Sequence, residues 1–226
     1  MDTIKAYLFA TLIGFALLGA LGCGGGTGVG GTYGSAETLT FEGWDSYRKQ
    51  DLPKGEELFN SALALDPTYT EAYNGLGWLN FRKAGQEEDK DRRLAALNGA
   101  RKNFEHAVNA DPGNTDALVG LAGVDLALGE WEKASIAAGR ALDLSPRYFS
   151  SHDNIDYRDV HLVMAEAYFF MGRFKHTTET PDPNNALYHI DVVDPGYKAF
   201  YESNQLTPPD LVRRIEELQT PRIQAQ

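Results

Sequence analysis

An internal repeat of 34 residues limits what this chain can fold into more than any other feature of its sequence. The dipeptide Gly-Trp at 43–44 recurs at 77–78, and Pro112 recurs as Pro146, both at a spacing of 34 residues. A fixed period of roughly 20–50 residues is the signature of similar units that stack side by side, each contacting its neighbours. The sequence therefore predicts a solenoid assembled from copies of one unit.

The second unit is longer than the others. Phe59 recurs as Phe104, and the Asp-Pro pair at 66–67 recurs at 111–112, so these landmarks shift by 45 residues instead of 34. Eleven additional residues make about three turns of α-helix at 3.6 residues per turn, which lengthens a helix without rotating its apolar face. We predict one long helix from about residue 89 to residue 110, whose first turns project beyond the solenoid. A disordered loop is the alternative.

The landmarks resemble those of the tetratricopeptide repeat (TPR), a 34-residue helix-turn-helix unit. The segments AYNGLGWLNFRKAG and ARKNFEHAVNADP are similar to its first and second helices, and ALVGLAGVDLALGEWEKASIAAGRALDLSP is similar to a nearly complete unit. The resemblance implies an all-α, TPR-type helical-hairpin solenoid of about three to four repeats. We assign these repeats to residues 36–174, as units 36–69, 70–114 and 115–148 and a degenerate fourth from about 158.

The C-terminal region, residues 175–226, departs from the repeat. The segment KHTTETPDPNN delays the second helix of the fourth unit, which is predicted within NALYHIDVVDP. The segment TPPDLVRRIEELQ carries one apolar stripe, Leu211, Val212, Ile215 and Leu218, on a predicted helix. Because a solenoid must cover its last apolar face, we predict a C-terminal capping helix here. A segment that binds a partner is the alternative.

The N-terminus contains the only cysteine of the chain, Cys23, directly after an apolar run at 7–21. This run is typical of a signal peptide and is short for a membrane span of about 20 residues. Residues 20–23, Ala-Leu-Gly-Cys, resemble the lipobox of bacterial lipoproteins. The resemblance implies a signal peptide at 1–22, acylation of Cys23 and a glycine-rich tether at 23–35. An uncleaved anchor and an ordinary secreted protein are the alternatives.

The lipoprotein resemblance also implies a location in the bacterial cell envelope. Gly24 follows the cysteine where an aspartate would favour the inner membrane, which implies lipid anchoring in the outer membrane, facing the periplasm. The formal net charge of −11 argues against nucleic acid as a partner, because its phosphates require a positive surface.

Repeats of this family bind partners in a concave groove lined by the first helix of each unit. Aromatic residues and arginine are enriched among the residues that dominate binding energy. The alternative is that some of these side chains pack against the tether or the C-terminal helix and form core. The groove positions that the resemblance implies are Trp44, Tyr47, Arg48, Asn74, Trp78, Phe81, Arg82, Glu166, Phe169 and Phe170.

The densest polar cluster, SSHDNIDYRDVH, contains His152, Asp153, Asp156, Asp159 and His161. A metal site is conceivable there, but acidic residues near a helix start are more simply caps. We therefore predict no catalytic residue, no metal and no cofactor. The function expected is a non-catalytic, membrane-anchored scaffold that binds an envelope protein or peptide; capture of a glycan or small ligand is the alternative.

Overall fold

A computed structural model describes residues 34–174 and 182–219. The predicted signal peptide, Cys23 and nearly all of the tether fall in 1–33 and lie outside the described residues. Within those residues the chain forms ten α-helices and no β-strand, which confirms the expected all-α fold. No helix in this part of the chain has the length and hydropathy needed to cross a membrane.

Successive helices pack as pairs, which are joined by short turns in the first three pairs and by residues 171–185 in the fourth. They are α1 (Ala36–Arg48), α2 (Leu52–Leu65), α3 (Thr70–Gln86), α4 (Lys90–Ala110), α5 (Thr115–Ala127), α6 (Trp131–Leu144), α7 (Tyr157–Phe170), α8 (Ala186–Val193), α9 (Tyr197–Ser203) and α10 (Pro208–Gln219). The pairs α1–α2, α3–α4 and α5–α6 each lie within one predicted unit, and α7–α8 form the fourth pair.

Side-chain caps set where several helices begin. Ser35 accepts a hydrogen bond from the Thr38 amide at the start of α1, and Asn114 accepts one from the Ala117 amide at the start of α5. Each cap satisfies an amide that has no partner inside its helix. The turn between α5 and α6 contains Gly129 at φ +77°, a conformation that suits glycine because it has no Cβ.

Two phenylalanines on second helices fill the space between units. Phe59 on α2 and Phe104 on α4 are completely buried. The ring of Phe59 lies against Gly43 and Gly75, so that added Cβ atoms would come within 2.6 and 2.4 Å of it. The spacing between units therefore depends on small residues where the first helices pass these rings, as the repeat pattern predicts.

The predicted long helix is present as α4, but the prediction that it contains all eleven additional residues is wrong. They are divided between the two helices of unit two, since α4 is seven residues longer than α2 and α6, and α3 is four residues longer than α1 and α5. Asp89 caps α4 by accepting hydrogen bonds from the amides of Asp91 and Arg92, and the helix then runs for 21 residues. Its partner α3 is also lengthened, to 17 residues, against 13 in α1 and α5. The two long helices pack along each other, and Leu97 of α4 is buried.

The C-terminal helix α10 packs on α7. Its residues Leu211 and Ile215 are almost fully buried, while Val212 and Leu218 pack at the edge of the core. Arg214 donates to Asp194 at the end of α8 through two nitrogens, at 2.8 and 3.1 Å, which fixes α10 along the fourth pair. This helix therefore occupies the place at which a further repeat would begin.

Candidate functional site

A repeated hydrogen bond links the first helices of neighbouring units. The Trp44 Nε1–H of α1 donates to Glu71 Oε1 of α3 at 3.0 Å, across 27 residues of sequence. The Trp78 Nε1–H of α3 donates to Asp116 Oδ2 of α5 at 2.7 Å, across 38 residues. The separations differ by the eleven inserted residues, so both bonds follow from the same position in the repeat.

Asp116 is the centre of the polar network on this face. Its carboxylate accepts from Trp78, from Asn74 Nδ2 at 3.0 Å, from the Tyr148 hydroxyl and from Ser150 Oγ at 3.4 Å. Asn74 is only 1 % exposed. Because hydrogen bonds to a charged acceptor are stronger than neutral ones, this carboxylate fixes both the helices and the chain segment that follows α6.

That segment, residues 148–157, forms a small closed loop that we call the groove hairpin. The Tyr157 amide donates to the Tyr148 carbonyl at 2.8 Å, and the Ser150 amide donates to the Ile155 carbonyl at 2.9 Å. Ser150 Oγ in turn accepts from the amides of His152 and Asp153, both at 3.2 Å. The tip, residues 151–154, is thereby held in one turn that directs the side chains of His152 and Asp153.

The hairpin tip lies against the first helices of units one and two. The imidazole of His152 stacks on the Trp44 ring, with 3.5 Å between centroids and 2° between planes. The Asp153 carboxylate accepts from the Tyr47 hydroxyl at 2.5 Å and pairs with Arg82. The Arg82 guanidinium also stacks 3.6 Å from the centroid of the Tyr47 ring. Two adjacent tip residues therefore occupy the place where a bound segment would lie.

This occupation corrects the expectation of an open groove. The C-terminal helix contacts Glu166, and the hairpin tip contacts Trp44, Tyr47 and Arg82, so these expected lining residues have partners within the chain. Arg48 is exposed, and Arg82, Phe169 and Phe170 are partly buried. Whether these residues bind a partner remains a prediction. The buried positions are Trp44, Tyr47, Asn74, Trp78, Phe81 and Glu166.

The aromatic residues expected in the groove from unit four also pack internally. The Phe170 ring stacks on Trp131 with centroids 4.5 Å apart, and the Phe169 ring stacks on Phe174 at 5.0 Å. Glu166 is 4 % exposed and accepts from Gln219 Nε2 at 3.3 Å, and burial raises its pKa to about 7. The packed end of the solenoid therefore contains a carboxyl that ionises near neutral pH.

The hairpin tip carries two electrostatic costs. Burial raises the pKa of Asp153 in spite of the opposing charge of Arg82, so removal of water outweighs the ion pair. Burial also lowers the pKa of His152, whose Nδ1 atom is buried without a hydrogen-bond partner among the described residues. A buried polar atom without a partner opposes the arrangement that contains it.

The polar cluster of the sequence separates into different structural roles. Asp156 and Asp159 form a reciprocal capping box at the start of α7, as the helix-cap interpretation predicts. His161 is paired with His189 of α8, with 2.8 Å between their Nδ1 atoms, a contact that the sequence does not reveal. Among residues 34–174 and 182–219, no three His, Cys, Asp or Glu side chains are placed to hold a metal ion together.

The geometry gives no support to glycan capture. That alternative depends on Trp44 and Trp78 as open stacking surfaces, and each residue is only 4 % exposed. One face of Trp44 is covered by His152, and Trp78 makes a T-shaped contact with Phe104, with centroids 5.5 Å apart. A sugar would need an exposed ring face, which neither tryptophan offers.

Comparison with known proteins identifies the architecture. Residues 95–149 match the sequence profile of the tetratricopeptide repeat. The structure is similar to that of a thermophilic TPR protein of Thermus thermophilus, with a TM-score of 0.55, 20 % identity and coverage of 81 % of both chains. The fold is a TPR solenoid.

Other comparisons add no functional detail to the TPR fold. A mutant O-GlcNAc transferase of Thermobaculum terrenum is similar over 72 % of this chain and 26 % of its own length, with a TM-score of 0.50 and 20 % identity. Curated protein sequences gave no match. Likeness at this level of identity establishes the architecture of a TPR solenoid, whereas function depends on the residues grafted on it.

Proposed function

We propose that this protein is a non-catalytic scaffold that binds a protein or peptide partner with its TPR solenoid while an acylated Cys23 holds it on a membrane of the bacterial cell envelope. The observation that carries the proposal is the TPR solenoid itself. Stacked helix pairs create an extended concave surface. Because this surface is already ordered in the folded chain, a partner binds without the loss of conformational entropy that ordering it would require.

The sequence before the solenoid supports the membrane anchor. Two acyl chains hold a protein stably on a bilayer, whereas one chain binds only marginally. The composition of segment 24–35, rich in glycine, is typical of a tether between an anchor and a folded domain. With Gly24 after the cysteine, we place the protein on the outer membrane, facing the periplasm.

The anchor can be tested by labelling growing bacteria with an alkyne analogue of palmitate. We expect the wild-type chain to incorporate the label and sediment with membranes. The Cys23→Ser variant should not incorporate the label, and its washed membranes should contain no labelled form of the protein. Equal labelling of Cys23→Ser would contradict acylation at this cysteine.

Partner binding can be tested with a photo-crosslinking amino acid at Arg48, the exposed position among the predicted groove residues. Irradiation of intact cells should give one dominant adduct with another envelope protein. The matched control places the probe at Lys133, an exposed residue of the second helix α6. The same adducts from both positions, or none from Arg48, would contradict docking in the groove.

A further inference from the structure

The groove hairpin has the features of a bound ligand that belongs to the same chain. It crosses from the junction of units three and four to unit one, so that Tyr47 and Asp153 meet across 106 residues of sequence. Its tip provides a planar ring to Trp44 and a carboxylate to Arg82 and Tyr47. These are interactions that side chains of an external peptide could also make.

We propose that residues 151–154 are an internal ligand of the groove, and that the partner docks by replacing them with a segment that presents a carboxylate next to a planar side chain. This inference rests on the proposed function, since it concerns the same groove. The partner's carboxylate takes the place of Asp153 against Arg82 and Tyr47, and its planar group takes the place of His152 on Trp44.

The chemistry of the site selects this class of partner. The overall charge of the chain is −11, yet the groups that contact the Asp153 carboxylate are the Arg82 guanidinium and the Tyr47 hydroxyl, a cation and a donor. The Asp116 carboxylate also acts on Asp153 and opposes a negative charge there, but it makes no contact with it. Arg82 is held by the Tyr47 carbonyl, to which its Nη1 donates at 2.9 Å, and by the ring beneath it. Its position is therefore fixed before any carboxylate arrives, which favours recognition of one.

The base of the hairpin is well anchored by hydrogen bonds, whereas its tip is energetically less favourable, so a partner can replace the tip while the base stays in place. The base is attached through Tyr148 and Ser150 to Asp116 and through two backbone hydrogen bonds. The tip, in contrast, leaves His152 Nδ1 buried without a partner among the described residues. A partner segment could stack on Trp44 and present a carboxylate to Arg82 without burying a polar atom that lacks a hydrogen bond. Its contacts would then be more favourable than those of the tip.

The experiment uses the full chain with Cys23→Ser in non-ionic detergent. An open-tip form carries four further substitutions, Ser151→Gly, His152→Gly, Asp153→Gly and Asn154→Gly, which retain the base. The probe is a fluorescein-labelled, end-blocked peptide with the sequence of residues 150–156, followed by fluorescence anisotropy. We expect saturable binding to the open-tip form and binding weaker by about tenfold or more to the chain with its own tip, because the attached tip competes at high local concentration.

Two controls define the site. A peptide with asparagine at the Asp153 position, and an open-tip chain that also carries Arg82→Met, should each bind the probe several-fold more weakly. The single variant Asp153→Asn retains the size of the tip and should bind the peptide with an affinity between those of the intact and open-tip forms. It replaces the open-tip form in the experiment if that form does not unfold cooperatively. Equal affinity for open and intact tips, or no saturable binding to a folded open-tip form, would overturn the inference. Neither result depends on the cellular partner or on acylation, which the labelling and crosslinking experiments test separately.

Discussion

Gly120 of α5 lies directly under the ring of Phe104 of α4. A Cβ atom at position 120 would come within 2.2 Å of the ring, and Phe104 is completely buried and has no room to retreat. Gly99 of α4 is also in a helix, yet an added Cβ there meets nothing closer than 3.6 Å. Alanine at Gly120 therefore changes both packing and helix propensity, whereas alanine at Gly99 changes helix propensity alone.

We predict opposite effects of alanine at these glycines. Gly120→Ala should lower the free energy of unfolding by about 2–3 kcal/mol, because overpacking outweighs the gain in helix propensity. Gly99→Ala should raise it by up to about 1 kcal/mol. Urea denaturation followed by circular dichroism measures both. Equal shifts for the two variants would show that Phe104 does not set the spacing between units.

The network at Asp116 leads to a second prediction. Asp116→Asn turns one acceptor atom into a donor that faces Trp78, Asn74 or Tyr148, all of which already donate. We expect a loss of about 2–3 kcal/mol in unfolding free energy. Asp143→Asn, on the exposed side of α6, is the control and should change stability by less than about 0.5 kcal/mol. A loss at Asp116 no larger than the control's would contradict the network.

Glu166 leads to a prediction about how stability changes as the pH rises. Its pKa is about 7 in the folded chain because of burial, above the ordinary 4.5, so the folded state disfavours the ionised form. Stability is therefore lost as pH rises from 4.5 through 7. Glu166→Gln removes this loss, and its amide can also donate to Gln219 Oε1, which has no partner among the described residues. The variant should exceed wild type by up to about 3 kcal/mol at pH 8, and by much less at pH 4.5. A difference that does not vary with pH would contradict the assignment.

His189 gives a prediction for the acid side. Burial and the neighbouring His161 lower its pKa to about 3 in the folded chain, from an ordinary 6.5. The unfolded chain therefore binds a proton first as pH falls, and stability decreases between pH 6.5 and 3, by up to about 1.4 kcal/mol per pH unit for this group. His189→Leu should flatten that part of the stability curve. His106→Gln, at an exposed histidine of α4, is the matched control. An identical slope in His189→Leu and wild type would contradict this role.

Much of the fold could be predicted from the sequence because repeats impose the same packing on each unit. Phe59 and Phe104, with the glycines they contact, have a spacing that already contains the eleven-residue insertion. The long helix α4 was predicted from the same number, although four of the eleven residues lengthen its partner α3 instead. The hydrogen bonds from Trp44 and Trp78 could also have been found, since the acidic residues Glu71 and Asp116 shift by the same insertion.

The groove hairpin was harder to predict. His152 and Asp153 stand in a loop without periodicity, and their contacts with Trp44, Tyr47 and Arg82 cross two units of the solenoid. No local pattern encodes a contact across 106 residues. The only sequence signal was the length of the junction between units three and four, which exceeds that of the two earlier junctions between units and so leaves chain available to fold back.

The stack of His152 on Trp44 is the contact that tests this account most directly. We would measure nuclear Overhauser effects between these two rings in the full chain with Cys23→Ser, using contacts of Phe104 with Gly120 as an internal standard. Ring centroids at 3.5 Å predict strong cross-peaks between the His152 and Trp44 protons. If the Phe104 to Gly120 cross-peaks are present while those of His152 with Trp44 are absent, the hairpin does not fill the groove and the internal ligand does not exist.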